Sequence, residues 1–230
     1  MSKHLIQWPR ANYWDRTWNP VSRSYNPPKS GVVFCGRSED LFDDRYSIRD
    51  CADFIGRTLG NFDRATYLWL TRFPCKMHAA LIDGYIIPSD EPDYECPFRH
   101  CEFGNQYFGV RADCQRTYDI RLEQLMAIRE PWADGWLLLT PTLGPVDLHL
   151  EGYILPESKP FKWVVVDGAN NLRQGACKVK WIERIAEQCT ELRIPLFVRK
   201  LEINGKMETD INKFPKHLRI RQVPWATETK

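Results

Sequence analysis

Short apolar runs alternate along this chain with stretches of helical periodicity, and this alternation restricts the fold more than any other feature of the sequence. Gly31-Val32-Val33-Phe34-Cys35 is short, β-branched and bounded by glycines, as a buried parallel strand should be. After it, Ile48, Cys51, Ala52, Ile55 and Leu59 recur at helical spacing, with Gly60-Asn61 placed to end the helix. Thr66-Tyr67-Leu68-Trp69-Leu70-Thr71 reads as the next strand and Met77 to Tyr85 as a short helix. Tyr107-Phe108-Gly109-Val110 is a further strand, and Ile120, Leu122, Leu125, Met126 and Ile128 supply one face of the helix after it. Trp136-Leu137-Leu138-Leu139 and Lys162-Trp163-Val164-Val165-Val166 add two strands. Val179 to Leu192 is the clearest helix, with Ile182, Ile185, Ala186 and Cys189 on one face, and Pro195-Leu196-Phe197-Val198 follows it as a strand.

Parallel neighbours need a crossover connection, and a helix is the usual one, so this order predicts an α/β fold. About five to six mostly parallel strands are too few for a closed eight-stranded barrel. An open partial α/β barrel is therefore the first expectation and a doubly wound sheet the second. With 230 residues, one α/β domain over 1–230 is expected. Residues 1–30 form an N-terminal aromatic/Arg arm in this reading. Residues 86–106 are an acidic, Pro-rich loop insertion, polar from Pro88 to Gly104. Residues 202–230 are a C-terminal covering segment, where Leu218, Ile220 and Val223 alternate as in a hairpin or edge strand between Asn212 and Trp225.

Thirty-two basic and 30 acidic side chains give a formal charge of +2, so no global field concentrates nucleic acid or an anionic membrane on the surface. The first thirty residues carry Trp8-Pro9-Arg10 and Trp14-Asp15-Arg16 in place of the apolar core of a secretion signal, so the protein is expected in the cytoplasm, away from membranes. The eight cysteines are scattered through a full-sized chain and are expected as reduced thiols. Phe34-Cys35-Gly36 and Ala176-Cys177-Lys178 are apolar settings in which a free cysteine behaves as a small hydrophobe.

Three groups of residues are candidate sites. The C-terminal ends of strands are where α/β folds place ligands, and those ends carry Arg37, Thr71, Arg72, Arg111, Asp113, Thr140, Asp167, Asn170 and Arg199. Four arginines there suit bidentate binding of phosphate or carboxylate, and ordinary pairing with Asp40, Asp113 and Asp167 is the alternative. Cys96, His100, Cys101 and Cys114 form the compact metal-like cluster, a set that would suit structural zinc, against separate loop thiols. Trp8, Arg10, Tyr13, Trp14, Arg16 and Trp18 are an aromatic/Arg mixture of the kind found in protein interfaces and in stacking on unpaired bases, or else an arm packed across the barrel mouth. Asp167-Gly168-Ala169-Asn170-Asn171 lacks the spacing of a dinucleotide or phosphate loop and reads as a strand-to-loop turn. His4, His78, His149 and His217 have no neighbouring nucleophile in sequence.

Several strings, taken in order, point to a family. Thr17-Trp18-Asn19-Pro20, Asp40-Leu41-Phe42, Leu70-Thr71-Arg72, Gly109-Val110, Leu143-Gly144-Pro145, Trp163-Val164-Val165-Val166-Asp167-Gly168 and Gln188-Cys189, with Phe214-Pro215, Leu218-Arg219-Ile220-Arg221 and Pro224 at the end, resemble the phage "gene product thirty-seven / sixty-eight" family, a radical-SAM-like domain of unknown function. The resemblance implies that Trp-Asn-Pro leads into a three-cysteine loop able to hold an iron-sulfur cluster and S-adenosylmethionine. Here Pro20 is followed by Val21-Ser22-Arg23-Ser24-Tyr25-Asn26-Pro27-Pro28, without those cysteines. Thr140 stands where relatives carry a glutamate, Asp167-Gly168-Ala169 where they carry Gly-Gly-Glu, and Arg72-Phe73 in their Lys-Arg-Pro turn.

The resemblance therefore implies a degenerate, catalytically inactive member, phage-associated and binding a host or phage protein in the host cytoplasm. No iron-sulfur cluster or S-adenosylmethionine is expected; zinc would be the one metal. A cluster-free enzyme or ligand-binding protein that holds a phosphorylated or nucleotide ligand in the arginine-lined pocket is the alternative, and a single-stranded nucleic-acid binder is a third reading.

Overall fold

A computed structural model describes residues 31–35, 40–59, 65–83, 106–127, 134–141, 143–150, 152, 159–168 and 177–224. Its elements run β1 (Gly31–Cys35), α1 (Ile48–Leu59), β2 (Ala65–Thr71), α2 (Pro74–Asp83), β3 (Gln106–Ala112), α3 (Gln115–Ala127), β4 (Asp134–Leu139), β5 (Trp163–Asp167), α4 (Val179–Glu191), β6 (Leu196–Ile203) and β7 (Lys206–Glu208). The fold is mixed α/β, and the seven strands stand in the sheet in chain order. β1 with β2, β4 with β5, and β5 with β6 are parallel, and β7 closes on β6 antiparallel. A doubly wound sheet reverses its strand order at a switch point. This order never reverses, which removes the second expectation.

Contacts gather the chain into two compact units. The first takes in the described residues of 9–109 and 124–134. Its core is built on Trp69, which meets Phe42 and Phe54 edge-on at centroid distances of 6.3 and 6.1 Å and lies parallel to Phe108 at 6.3 Å. The indole is fully buried, so its N–H needs a partner. Trp69 Nε1 donates to Gln106 Oε1 (2.6 Å), Gln106 Nε2 to Thr58 Oγ1 (2.8 Å), and Thr58 Oγ1 to the Ile55 carbonyl (2.7 Å), so this buried polar chain ends in the backbone of α1. Cys51 and Ile55 face this core, as their spacing predicts, and Phe54 joins them, whereas Ile48 at the start of α1 is exposed. Ser47 and Asp50 cap α1 reciprocally, Ser47 Oγ accepting from Asp50 N (3.1 Å) and Asp50 Oδ2 from Ser47 N (3.1 Å). Pro74 opens α2 three residues before the expected start, where its missing N–H has no helical bond to lose.

The second unit takes in the described residues of 110–123 and 135–224. Trp136 pairs in register with Trp163, and Val165 with Phe197. The rings of Trp136, Trp163 and Phe197 follow one another at 5.6 and 6.2 Å, and Trp163 Nε1 donates to the Gln222 carbonyl (3.0 Å). Gly135 is required here, because a Cβ would lie 2.4 Å from the Pro160 carbonyl oxygen. α4 buries Ile182, Ile185, Gln188 and Cys189. Its end is a full Schellman motif: Ile194 N donates to the Cys189 carbonyl (2.8 Å) and Arg193 N to the Thr190 carbonyl (3.1 Å). The left-handed position of that motif, usually glycine, is Arg193 at φ 53°, a conformation that costs an L-residue about 1 kcal/mol.

Two C-terminal expectations are corrected. β6 runs on to Ile203 and turns at Asn204-Gly205, both left-handed at φ 52° and 74°, into β7. This two-residue hairpin matches the right-handed twist of its strands and supplies the extra strand. In place of the hairpin or edge strand expected from Asn212 to Trp225, the described residues form short 3₁₀ turns at Ile211–Lys213 and Lys216–Leu218 and one antiparallel bridge, Arg221 to Phe197. Local side-chain bonds compete with a ladder here. Asp210 accepts from Asn212 N (3.0 Å), and Arg219 Nε donates to the Phe214 carbonyl (3.0 Å).

Cys35, Cys51, Cys177 and Cys189 are buried free thiols, and burial pushes the last three up to about 12, so they stay neutral.

Candidate ligand-binding site

At the strand ends of the first unit, Asp40 is buried and fully engaged. Its Oδ1 accepts from Phe42 N (3.1 Å) and Thr71 Oγ1 (2.8 Å), and its Oδ2 from Arg72 N (2.7 Å). Thr71 Oγ1 in turn accepts from Phe73 N (2.8 Å), so Thr71 ties the turn after β2 to the turn after β1. The Arg72 guanidinium lies 5.9 Å from the centre of the Phe73 ring on the exposed surface. Lys76 Nζ donates to the carbonyls of Asp43 and Tyr46, fastening the same loop to α2. Arg37, expected beside them, lies outside the described residues.

The strand ends of the second unit differ. Side chains two residues apart share a face of a strand, so Thr140 continues the line of Trp136 and Leu138, and Asp167 that of Trp163 and Val165. Leu139–Val166 is the last pair of that register, and Thr140 and Asp167 are the next residues on the two chains. Arg111 Nε, at the end of β3, donates to Thr140 Oγ1 (3.0 Å), leaving the rest of an exposed guanidinium to solvent. A bulge at Val166/Asp167 brings two successive cations of β6 against one carboxylate: Arg199 Nη1 donates to Asp167 Oδ2 (2.8 Å), and Lys200 Nζ stands 3.5 Å from Oδ1. Side chains 14% and 13% exposed make the Arg199–Asp167 pair a largely desolvated one.

Asp167 Oδ1 is buried and accepts no hydrogen bond among the described residues. Arg221 Nε is the other buried side-chain atom without a hydrogen-bond partner among the described residues. Arg221 holds its guanidinium 4.6 Å from the centre of the Phe197 ring, and burial, followed by the nearby charge of Arg199, lowers its pKa from the usual arginine range. Buried polar atoms are nearly always paired, so each exception calls for an explanation.

The predicted residues thus separate. Arg111, Thr140, Asp167 and Arg199 come together in one row in the second unit. Thr71 and Arg72 belong to the anchored loop of the first. Asp113 and Cys114 serve the start of α3: Thr117 Oγ1 accepts from both backbone N–H groups (3.0 and 3.1 Å), and its hydroxyl lies 2.9 Å from Asp113 Oδ1. Asn170, the zinc candidates Cys96, His100 and Cys101, and the aromatic arm Trp8, Arg10, Tyr13, Trp14, Arg16 and Trp18 lie outside the described residues. Among the described residues no three His, Cys, Asp or Glu side chains converge to hold a metal ion. Arg221 is absent from the strand-end prediction. The Arg219-Ile220-Arg221 string gives no cue as to which arginine turns inward.

No described helix is long and apolar enough to cross a membrane. No curated protein and no solved structure matches the chain. The model of DUF5131, a protein family of unknown function, matches residues 4–218, and the chain belongs to that family.

Proposed function

We propose that this protein binds a small phosphorylated and hydroxylated molecule, such as a sugar phosphate or nucleotide, at the strand ends of its second unit, without an iron-sulfur cluster. The observation that carries this reading is the unsatisfied Asp167 Oδ1 in a row with Arg111, Thr140 and Arg199. A buried carboxylate oxygen short of a donor suits a ligand hydroxyl. The outward fork of Arg111 suits an oxyanion taken bidentately. Together they select a molecule carrying both groups.

The scaffold in this reading is that of a cluster-free, radical-SAM-like partial barrel, supported by strands that succeed one another in chain order. The macromolecular partner suggested by the Trp/Arg arm rests on residues outside the described part, so the small-ligand reading leads.

Thermal unfolding against a panel of nucleoside monophosphates and sugar phosphates tests the proposal. One class should raise Tm, and Arg111→Ala should remove that rise while moving the ligand-free Tm by only about 1–2 °C. A panel that leaves Tm unmoved rejects it. Anaerobic reconstitution with iron and sulfide tests the scaffold reading, which a stoichiometric cluster that cleaves S-adenosylmethionine would overturn.

A further inference from the structure

The two buried side-chain atoms without a hydrogen bond among the described residues, Asp167 Oδ1 and Arg221 Nε, belong to one face of the sheet. Asp167 continues the line of Trp163 along β5, and the Trp163 ring meets Phe197 at 6.2 Å. The Arg221 guanidinium lies over that Phe197 ring, 4.6 Å from its centre. Arg199, bonded to Asp167, is near enough for its charge to act on Arg221. Arg221 therefore joins the β6 end of the strand-end row, although it enters from the segment that bridges onto β6 at Phe197.

Its donors are hardly used. Arg219, two residues earlier, donates to the carbonyls of Phe214 (3.0 Å) and Asn212 (2.6 Å) and ties the segment down. Among the described residues Arg221 reaches only the Thr209 carbonyl, at 3.5 Å, the outer limit of a hydrogen bond. Stacking on Phe197 fixes the plane of the guanidinium and leaves its edge for an oxyanion. Neighbouring guanidinium groups repel each other, and an anion set between them turns that repulsion into attraction.

Arg111 is the cation at the other end of the row. β3 and β6 stand three places apart in the sheet, about 14 Å at the backbone, and their arginines lean inward onto Thr140 and Asp167 of the two strands between. The gap between the cationic ends is thus about 5–14 Å. Asp167 Oδ1, the acceptor suited to a hydroxyl, stands inside it.

We infer that the strand-end ligand is a bisphosphate on a short hydroxylated skeleton, one phosphate held by Arg111 and the other by Arg221 beside Arg199. The inference rests on the strand-end reading above and adds a second anion subsite to it.

Calorimetric titration of the full chain compares fructose 1,6-bisphosphate and adenosine 3′,5′-bisphosphate, each with its monophosphates. At least one bisphosphate should bind saturably at one per chain, about tenfold or more tighter than the corresponding monophosphates. Arg221→Gln should cost the bisphosphate about tenfold in affinity and change monophosphate binding by less than about twofold, a split that a merely structural role for Arg221 would not produce. Arg221→Lys, which keeps the charge and loses the fork, should fall between the two. Bisphosphates that bind no tighter than their monophosphates, or an Arg221→Gln protein that weakens both ligands alike or neither, would overturn the inference and leave the strand-end reading standing. No binding of any of these phosphates would overturn both.

Discussion

Asp40 and Asp167 are both acidic residues at strand ends, one in each unit, yet they do different work. Asp40 takes three hydrogen bonds from Phe42, Thr71 and Arg72 and leaves neither oxygen idle. Asp167 accepts one from Arg199, and its buried Oδ1 makes no hydrogen bond among the described residues, with Lys200 Nζ 3.5 Å away in an ion pair. A saturated carboxylate can only hold the fold, because any ligand would have to displace a bond already made. An unsaturated one has capacity to spare, and the proposed recognition at the second unit's strand ends, against structure at the first's, rests on that difference.

The sharpest break would come from Asp40→Ala. Three partly or fully buried donors lose their acceptor together, so urea unfolding should record a loss of about 3–4 kcal/mol. A loss below about 1 kcal/mol would deny the carboxylate its structural role. Asp167→Asn should cost less, about 1–2 kcal/mol, because the amide oxygen still accepts from Arg199 while the charge is gone. The same variant should abolish the thermal response to phosphorylated ligands, and retention of that response would erase the contrast. Arg111→Ala sharpens it from the other side, since stability should move by less than about 0.5 kcal/mol while ligand binding is lost.

The smallest expected effect concerns pH in the first unit. The Arg45 side chain bonded to Asp43 (2.8 and 2.5 Å) holds that carboxyl below its ordinary value. A depressed carboxylate pKa gives stability that is present above the unfolded value and lost as pH falls through the folded one. NMR titration of the Asp43 carboxyl should therefore show a midpoint below the ordinary range, returned toward it in Arg45→Ala. An unchanged midpoint in that variant would remove Arg45 as the cause.

Much of the framework was legible because burial on a parallel sheet writes itself as β-branched runs, as in Val164-Val165-Val166, and α4 was legible because Ile182, Ile185 and Cys189 repeat at helical spacing. β7 was also written in the chain, as the hairpin signal Asn204-Gly205 between two short runs, whereas the alternation of Leu218, Ile220 and Val223 pointed to a hairpin or edge strand further on. That alternation misled because Asp210 and Arg219 bind backbone locally and Pro215 lacks a ladder donor. The row Arg111, Thr140, Asp167 and Arg199 followed from strand ends alone. What remained hidden was satisfaction. Thr71 reaches Asp40 across 31 positions, and Gln106 reaches Thr58 across 48. No local pattern tells which acceptors such distant donors will fill, and the orphan at Asp167 is visible only once they have.

A sheet assembled in chain order also bears on how the molecule is made. Each strand has as its neighbour the one synthesised just before it, so an emerging polypeptide can add β-strands to an edge already formed without waiting for distant sequence. Each closure nevertheless spans a helix and its loops, as from Gly31 to Ala65, so every added strand waits for a long-range contact, the slow step of a parallel sheet. The growing edge meanwhile stays open to unwanted pairing until Lys206–Glu208 and the bridge at Arg221 cover β6. A nascent chain stalled before those residues should be the species most in need of a chaperone.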